Sequence, residues 1–270
     1  MFPKEMLKKL EEYKSQGYII PYPSLIKTTQ QIDGIRLSGK ITTQILDLVG
    51  KEIRPGIKTS EIDKLVYDYT IGHNAIPAPL NYMGFPKSVC TSINDVVCHG
   101  IPNDRTILKS GDIVNVDVST ILNGYFSDAS RMFMIGNVTS NAKNLVEAAK
   151  ACLDIGTAQV KPFGSTSEIG RAIEPFANKK GYSVVRDLGG HGVGLKFHEE
   201  PHIDHFEKQD KGVLMLPGMV FTVEPMINQG GYSVKIARDK WTVTTRDGSL
   251  SAQWEYTLAV TKNGYEILAW

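Results

Sequence analysis

The feature that most constrains the fold is an internal repeat: residues separated by 107 positions match in order along much of the chain. The run Thr-Ser-Glu-Ile occurs at residues 59–62 and again at 166–169. Further on, segment 111–117 lies over segment 218–224, and each is a run of mainly apolar residues that ends in a carboxylate. Chance similarity between two α/β segments explains a short match, but it explains a single gapless register less well. The sequence therefore predicts two related halves.

Each half begins with apolar residues at helical spacing and continues into β structure. Helical spacing extends over residues 28–50 and 141–157, and a Pro/Gly break and the start of a second helix follow each segment. Residues 113–121 are rich in β-branched side chains, and Asn123-Gly124 is a strong hairpin signal. Because hairpins argue against βαβ crossovers, these patterns predict an α+β fold with two pseudo-two-fold related halves that share an antiparallel sheet.

Composition and charge exclude several classes of protein. The 270 residues carry 30 Lys and Arg against 29 Asp and Glu, so the chain lacks the basic surface expected of a nucleic-acid binder. No segment has the roughly 20 apolar residues of a membrane span, and the N-terminus lacks the apolar core of a secretory signal. Three cysteines without a C-x-x-C pair favour a reduced, cytoplasmic protein.

Two aspartates of the predicted hairpin fall on one face of the sheet. Counting outward from a two-residue turn at Asn123-Gly124 places Ser119 opposite Asp128. Strand alternation then puts Asp117 on the same face, with the two carboxylates about 7–8 Å apart. A cation between them, or a proton on one of them, stabilises such a pair. An ordinary solvated hairpin without a ligand is an equally valid interpretation of this pair alone.

The repeat brings further ligand-type residues toward this pair. Glu224 occupies the position in the second half that Asp117 occupies in the first, and a two-fold axis would bring both strand ends to a common centre. Glu255 lies in an apolar strand, where a charge is costly unless it is paired or bound to metal. His191 stands among glycines that allow close approach of the backbone to a small object. Four carboxylates and a histidine suit divalent cations.

Residues 198–202 also match the H-E-x-x-H pattern of zinc metalloproteases, which requires both histidines on one face of a helix. Pro201 disfavours the helical conformation at Glu200 and disrupts a helix interior. We therefore set this interpretation aside. An incidental place in a surface loop remains a fair interpretation of His202 and His205.

Seven ordered motifs resemble the type I methionine aminopeptidases, which have the two-fold pita-bread metallopeptidase fold. They are SINDVVCHGIP at 92–102, NVDV at 115–118, SDASR at 127–131, GHGVG at 190–194, HEEP at 198–201, TVEPM at 222–226 and QWEYT at 253–257. The similarity begins near Ile26, which implies one catalytic domain over residues 26–270 after a helical extension at 1–25. The segment between Pro201 and Glu224 is too short for the insertion of the type II enzymes.

The resemblance implies which residues form a two-metal site. Asp128 and Glu255 bridge two divalent ions, Asp117 holds one of them, and His191 with Glu224 completes the other. Co²⁺, Mn²⁺, Fe²⁺ and Zn²⁺ all suit this ligand set.

The resemblance also implies catalytic roles and a substrate pocket. Glu224 relays a proton of the attacking water, His99 contacts the scissile nitrogen of the substrate, and His198 stabilises the carbonyl oxygen. The methionine side chain occupies an apolar pocket lined by Tyr82, Phe85, Cys90, Phe197 and Trp241. One monovalent cation is implied by the match of three further positions to a cation site in relatives: Asn94, Val96 and Ser251.

Three functions from different classes remain open. The resemblance implies a cytoplasmic, monomeric peptidase that removes the initiator methionine from nascent polypeptide N-termini when the second residue is small, with the ribosome as a candidate partner. A second possibility is an Xaa-Pro aminopeptidase or dipeptidase, which shares the five ligands but usually has a large additional N-terminal domain. A non-catalytic binding protein on this fold is the third, and it would be expected to lose ligands, whereas all five are present.

Overall fold

The repeat reappears in the folded chain as a repeated pattern of backbone pairing. A computed structural model describes the backbone of residues 4–270 and the side chains of residues 6–270, so the first three residues of the expected N-terminal extension lie outside the described residues. An isolated antiparallel bridge joins Lys58 to Ile107, and the equivalent bridge, 107 positions later at both ends, joins Ser165 to Leu214. The two halves therefore share one local architecture.

The described residues form five α-helices: α1 (Lys4–Ser15), α2 (Thr29–Glu52), α3 (Thr59–Gly72), α4 (Ser140–Thr157) and α5 (Ser167–Lys179). The helical patterns over residues 28–50 and 141–157 are confirmed by α2 and α4. Thr28 begins α2 with a capping box, because its hydroxyl accepts from the Gln31 amide while the Gln31 side chain accepts from the Thr28 amide.

The same residues form fifteen strands, most of them short: β1 (Ile76–Pro77), β2 (Cys90–Ile93), β3 (Val96–Cys98), β4 (Ile113–Leu122), β5 (Tyr125–Met134), β6 (Ser183–Val184), β7 (Gly190–Gly192), β8 (Glu199–Ile203), β9 (Val220–Val223), β10 (Met226–Asn228), β11 (Val234–Ile236), β12 (Val243–Thr245), β13 (Ser251–Gln253), β14 (Tyr256–Val260) and β15 (Tyr265–Ala269). Every pair among these strands is antiparallel, which confirms the predicted α+β class.

Two larger sheets dominate the fold and meet near the centre. In the first half, β5 pairs with one edge of β4, and β1 and β2 pair with the other. The hairpin register places Ser119 opposite Asp128, as predicted. In the second half the strand order is β15-β14-β9-β7-β8. A bridge between Ser130 and Glu255 joins the two sheets, and the smaller sheets β13-β10-β6 and β11-β12-β3 complete the fold.

The hydrophobic core covers one face of the first sheet, and the candidate functional side chains lie on the other face. Val114, Val116 and Val118 of β4 are fully buried against the apolar residues of α2 and α3. Because side chains alternate along a strand, Asp117 and Ser119 are turned to the opposite face. A second apolar cluster packs α4 and α5 against the sheet of the second half.

Phe163 adopts a strained backbone conformation at a position where the first half has a glycine. Gly56 has a positive φ of 89°, and the equivalent residue of the second half, Phe163, has a φ of 64°. This conformation is unfavourable for a residue with a side chain. The Phe163 ring stacks on Tyr13 with ring centroids 6.0 Å apart, and the Lys9 ammonium lies 3.5 Å from its centroid. Phe163 thus provides the surface on which α1 packs.

Replacing Gly39 with alanine is expected to destabilise the fold, because the added Cβ would lie 2.1 Å from the backbone oxygen of Leu268. Overpacking of this kind costs roughly 1–3 kcal/mol. Gly72→Ala is the matched control, since nothing lies within 4 Å of its added Cβ and alanine is the better helix former. In urea denaturation the midpoint should fall for the first variant and hold or rise for the second. Equal midpoints would contradict close packing of α2 on β15.

Candidate metal centre

Four acidic side chains converge where the two large sheets meet. Asp117 and Asp128 project from β4 and β5, Glu224 follows β9 directly, and Glu255 directly precedes β14. The Glu255 amide donates to the backbone oxygen of Ser130, 3.1 Å away, and this contact fixes Glu255 beside the hairpin. The structure therefore brings together the four carboxylates that the sequence singles out.

Burial and mutual repulsion make these carboxylates hard to ionise together. Burial raises the pKa of Asp128 and of Glu255 well above the usual carboxyl range, and the charges of neighbouring carboxylates raise each pKa further. Burial is also the main cause of the raised pKa of Asp117 and of Glu224. A bound cation would relieve this repulsion.

His191 directs a lone pair at the carboxylates. Its Nδ1 lies 3.0 Å from the backbone oxygen of Gly192, and because a carbonyl only accepts hydrogen bonds, Nδ1 carries the proton. Burial lowers the pKa of His191 to about 3. The unprotonated Nε2 therefore faces Asp128 Oδ2 and Glu224 Oε1, each 3.7 Å away. Two acceptors and a lone pair in this arrangement favour a cation between them.

The donor set fits a divalent metal. Ligand atoms of Asp128, His191 and Glu255 lie within 4.8 Å of one another. Asp117 Oδ1 is buried and has no hydrogen-bond partner in the described part of the chain, which is costly for a carboxylate oxygen unless a cation binds it. Carboxylate oxygens with one imidazole nitrogen suit hard or borderline divalent ions. We call Asp117, Asp128, His191, Glu224 and Glu255 the candidate metal site.

A second layer of hydrogen bonds orients Glu224. The Thr222 hydroxyl donates to Glu224 Oε1 at 2.6 Å, and the Gln253 side-chain amide donates to Oε2 at 3.0 Å. Thr222 also accepts from the His191 amide, so one hydroxyl links two members of the site. Sequence reasoning missed these supports, although strand alternation places Thr222 on the same face as Glu224.

His205 lies in the loop after β8, but the loop buries it, so the surface-loop interpretation does not hold for His205. Its side chain is buried, and its Nε2 accepts a hydrogen bond from the Glu224 amide at 3.1 Å. Burial lowers its pKa to about 3, so the ring stays neutral and keeps this acceptor. His202, in contrast, is exposed.

Residues 199–203 form strand β8, which agrees with setting aside the helical zinc-protease motif. His198 and His202 therefore do not share a helical face. Within residues 4–270, no helix has both the length and the apolar character needed to cross a bilayer.

A pocket of about 260 Å³ opens directly onto the candidate metal site. Its apolar side is lined by all five residues expected there, and we call this set the apolar pocket: Tyr82, Phe85, Cys90, Phe197 and Trp241. The Phe85 and Trp241 rings meet edge to face, with centroids 5.2 Å apart, as do those of Tyr82 and Phe197 at 4.9 Å. These contacts give the pocket rigid aromatic walls.

Two further histidines lie at this pocket. His99 has a positive φ of 56°, and burial lowers its pKa to about 4, so its ring is neutral near pH 7. His198 lies at the mouth of the pocket, where its Nδ1 is 3.0 Å from the Tyr82 hydroxyl. The centroids of the His191 and His198 rings are only 4.2 Å apart.

The three residues expected to bind a monovalent cation lie away from this pocket. The Ser251 amide donates to the backbone oxygen of Asn94 at 2.8 Å. The buried Ser251 hydroxyl has no hydrogen-bond partner within the described residues. Val96 begins β3 two residues after Asn94.

An ion pair fixes the loop that carries His198. Lys27 and Glu199 form a salt bridge in which the side chains are only 1% and 9% exposed. Glu199 Oε1 also accepts from the amides of Leu195 and Lys196. Glu199, the residue after His198, therefore connects this loop to Lys27, which lies just before α2.

A profile of metallopeptidase family M24 matches residues 33–262, a span that contains the whole candidate metal site. The chain belongs to metallopeptidase family M24. Membership in this family makes the protein a hydrolase and implies the use of divalent metal.

Members of this family that are similar to the chain cover nearly all of it. The methionine aminopeptidase of Rickettsia prowazekii is 48% identical over 90% of this chain and 93% of its own length, and methionine aminopeptidase A of Synechocystis sp. is 47% identical over 88% and 94%. A crystal structure of the Rickettsia protein has a TM-score of 0.89, with 47% identity over 91% of this chain and 99% of that chain. These findings confirm the resemblance to methionine aminopeptidases and the pita-bread fold.

Other M24 structures are similar in fold alone. The Xaa-Pro dipeptidase from Bacillus anthracis has a TM-score of 0.72 and 22% identity, and the match covers 90% of this chain but 61% of that chain. A large part of the dipeptidase thus has no counterpart here.

Loss of the Lys27 charge is expected to destabilise the protein far more than loss of an exposed charge. Lys27→Met leaves Glu199 buried without its partner, which costs roughly 3–5 kcal/mol. Lys64→Met removes an exposed pair with Asp68, 74% and 57% exposed, and should cost roughly 0–1 kcal/mol. Thermal unfolding compares the two variants. Similar melting temperatures for both would contradict the role assigned to the Lys27–Glu199 pair.

Proposed function

We propose that this M24 metallopeptidase is a metal-dependent aminopeptidase that removes the N-terminal initiator methionine from proteins whose second residue is small. One observation carries the proposal: the candidate metal site opens onto a pocket with apolar walls and rigid aromatic edges. A carboxylate-rich site beside such a pocket suits a substrate with a free amino group and a long apolar side chain. The two relatives that match over nearly their whole length are named methionine aminopeptidases, which supports the same substrate.

Two divalent ions are proposed for the candidate metal site. Asp128 and Glu255 would bridge them, Asp117 would bind one, and His191 with Glu224 would bind the other. Co²⁺, Mn²⁺, Fe²⁺ and Zn²⁺ are all compatible with these ligands. Bound there, the ions would supply the Lewis acidity that lowers the pKa of a water and polarises the scissile carbonyl.

The protein's own residues would orient the substrate and move a proton. Thr222 and Gln253 hold both oxygens of Glu224 in position, so this carboxylate is oriented to take a proton from the attacking water. His99, neutral near pH 7, can donate a hydrogen bond to the substrate backbone. His198, oriented by the Tyr82 hydroxyl, stabilises the carbonyl oxygen as its charge develops.

The apolar pocket would hold the methionine side chain, and the crowded histidines would restrict the residue after it. The Phe85–Trp241 and Tyr82–Phe197 contacts keep the pocket walls fixed. The His191 and His198 rings, with centroids 4.2 Å apart, crowd the metal end of the pocket, which supports a small side chain after the methionine.

We also propose that Asn94, Val96 and Ser251 would hold a monovalent cation. The unpartnered, buried Ser251 hydroxyl supports this assignment. Such an ion would stabilise the junction between β13 and the loop that precedes β3.

The setting proposed for this activity is the cytoplasm, with nascent polypeptides leaving the ribosome as substrates and the enzyme as a monomer. All three cysteines are buried and free, as suits a reducing compartment.

The purified protein with Co²⁺ or Mn²⁺ is expected to release methionine from Met-Ala-Ser but not from Met-Lys-Ser, because the lysine side chain is too long for the crowded position. A chelator should abolish this release, and added metal should restore it. Chromatography of the products measures the release. Cleavage of Xaa-Pro peptides instead would favour the alternative hydrolases, and no methionine release with any divalent metal would rule out the proposed function.

Asp128→Asn is expected to abolish turnover and weaken divalent metal binding while leaving the chain folded, because asparagine keeps the shape of the side chain but not its charge. Loss of a residue that only orients a metal ligand lowers metal affinity or activity roughly 10–100-fold, so loss of a ligand itself should lower them further. Asp68→Asn, an exposed aspartate on α3, is the control. Calorimetric titration with Mn²⁺ and circular dichroism separate binding from folding. Activity retained in Asp128→Asn would refute the bridging role.

A further inference from the structure

A second cavity, of about 730 Å³, lies next to the pocket at the candidate metal site. The two cavities share His191, His198 and His202 in their linings, so they adjoin each other. The second cavity therefore starts at the metal end of the first one, where the scissile bond of a substrate would lie. We call this second cavity the exit groove.

The two walls of the exit groove come from distant parts of the chain. One wall carries the exposed side chains of Lys196 and Glu200, and it consists of Leu195, Lys196, His198, Glu199 and Glu200. The other wall consists of Tyr22, Ser24 and Leu25, from the segment that joins α1 to α2. The extension that precedes the two repeated halves thus contributes directly to this cavity.

The second wall is held in place on both sides. Upstream, the Ile19 amide donates to the Gly212 oxygen at 2.9 Å, and the Ile19 oxygen accepts from the Leu214 amide at 2.8 Å. Downstream, buried Lys27 pairs with Glu199 of the opposite wall. Prolines at 21 and 23 restrict the backbone between these anchors. The groove is therefore preformed.

Tyr22 is the prominent side chain of this wall. It is 74% exposed, although nothing in the packing of the domain requires a large aromatic at this position. Tyrosine combines a broad apolar face with a polar hydroxyl at low entropic cost, which suits contact with a peptide of varied sequence. Lys196 and Glu200 on the opposite wall add one charge of each sign.

A third cavity, of about 480 Å³, also adjoins the first, but on its apolar side, and it shares Leu195, Lys196 and His198 with the exit groove. It shares Tyr82, Phe197 and His198 with the first pocket, so it opens from the apolar pocket that the methionine side chain would fill. The chain beyond the scissile bond leaves from the metal end, and the exit groove is the cavity that touches His191 there.

We propose that the exit groove binds the substrate polypeptide from its third residue onward, and that Tyr22 of the N-terminal extension contacts this part of the substrate. The inference rests on the proposed function, because it takes the scissile bond to lie at the candidate metal site. It assigns the end of the extension a role in substrate binding.

The test compares the dipeptide Met-Ala with an octapeptide that begins Met-Ala-Ser, using the full-length, metal-loaded enzyme. The measured quantity is the ratio of kcat/KM for the octapeptide to kcat/KM for the dipeptide. In Tyr22→Ala this ratio should fall roughly 3- to 10-fold, the effect expected from loss of one aromatic contact. Tyr67→Ala, a 41% exposed tyrosine on α3 that lines neither cavity, should keep the wild-type ratio.

Each contrary result has a distinct meaning. A wild-type enzyme that releases methionine while Tyr22→Ala keeps the wild-type ratio would overturn the inference alone. Leu80→Ala tests the third cavity. If the ratio falls in Leu80→Ala but not in Tyr22→Ala, the inference is also overturned, because the substrate would then leave through the third cavity. A wild-type enzyme that releases methionine from neither peptide would overturn the proposed function itself.

Discussion

Mutual repulsion among four buried carboxylates is the constraint on which the rest of the structure depends. Two β-sheets supply these groups, and the bridge between Ser130 and Glu255 keeps them at one point. Thr222, Gln253 and His205 then hold Glu224 by both carboxylate oxygens and by its backbone amide. Without a cation this arrangement would be costly, because charges of one sign share a buried volume. The protein thus maintains an electrostatically strained centre, and the strain favours metal binding.

Much of the fold can be predicted because its signals are local or repeated. The Asn123-Gly124 turn defines the hairpin register, and helical spacing marks α2 and α4. The way the strands assemble into four sheets is less accessible, because β6 and β7 have only two and three residues, too few to show an alternating pattern. Contacts such as the bridge between the sheets join segments far apart in sequence, and no local pattern records them.

The site shows the same division between local and long-range information. Strand alternation locates Asp117 and Asp128, and the repeat adds Glu224. His191 and Glu255 enter firmly through the family resemblance alone. The role of His205 has no local signal in the sequence, because the Glu224 amide that it binds lies 19 residues away. The groove wall at Tyr22 has no sequence signal of its own, since only the folded chain brings the extension beside the histidines.

Phe163 has a consequence for the symmetry of the molecule. Two related halves would offer α1 two equivalent places to pack, one beside residue 56 and one beside residue 163. A glycine at the first place offers no side chain, whereas the ring of Phe163 offers a face to both Tyr13 and Lys9. Phe163, held in an unfavourable backbone conformation, thus gives α1 a packing surface on the second half that the first half lacks. Together with Leu10 in the core and the pairing of Ile19 with Leu214, it holds the N-terminal segment on the second half, from which Tyr22 reaches the exit groove.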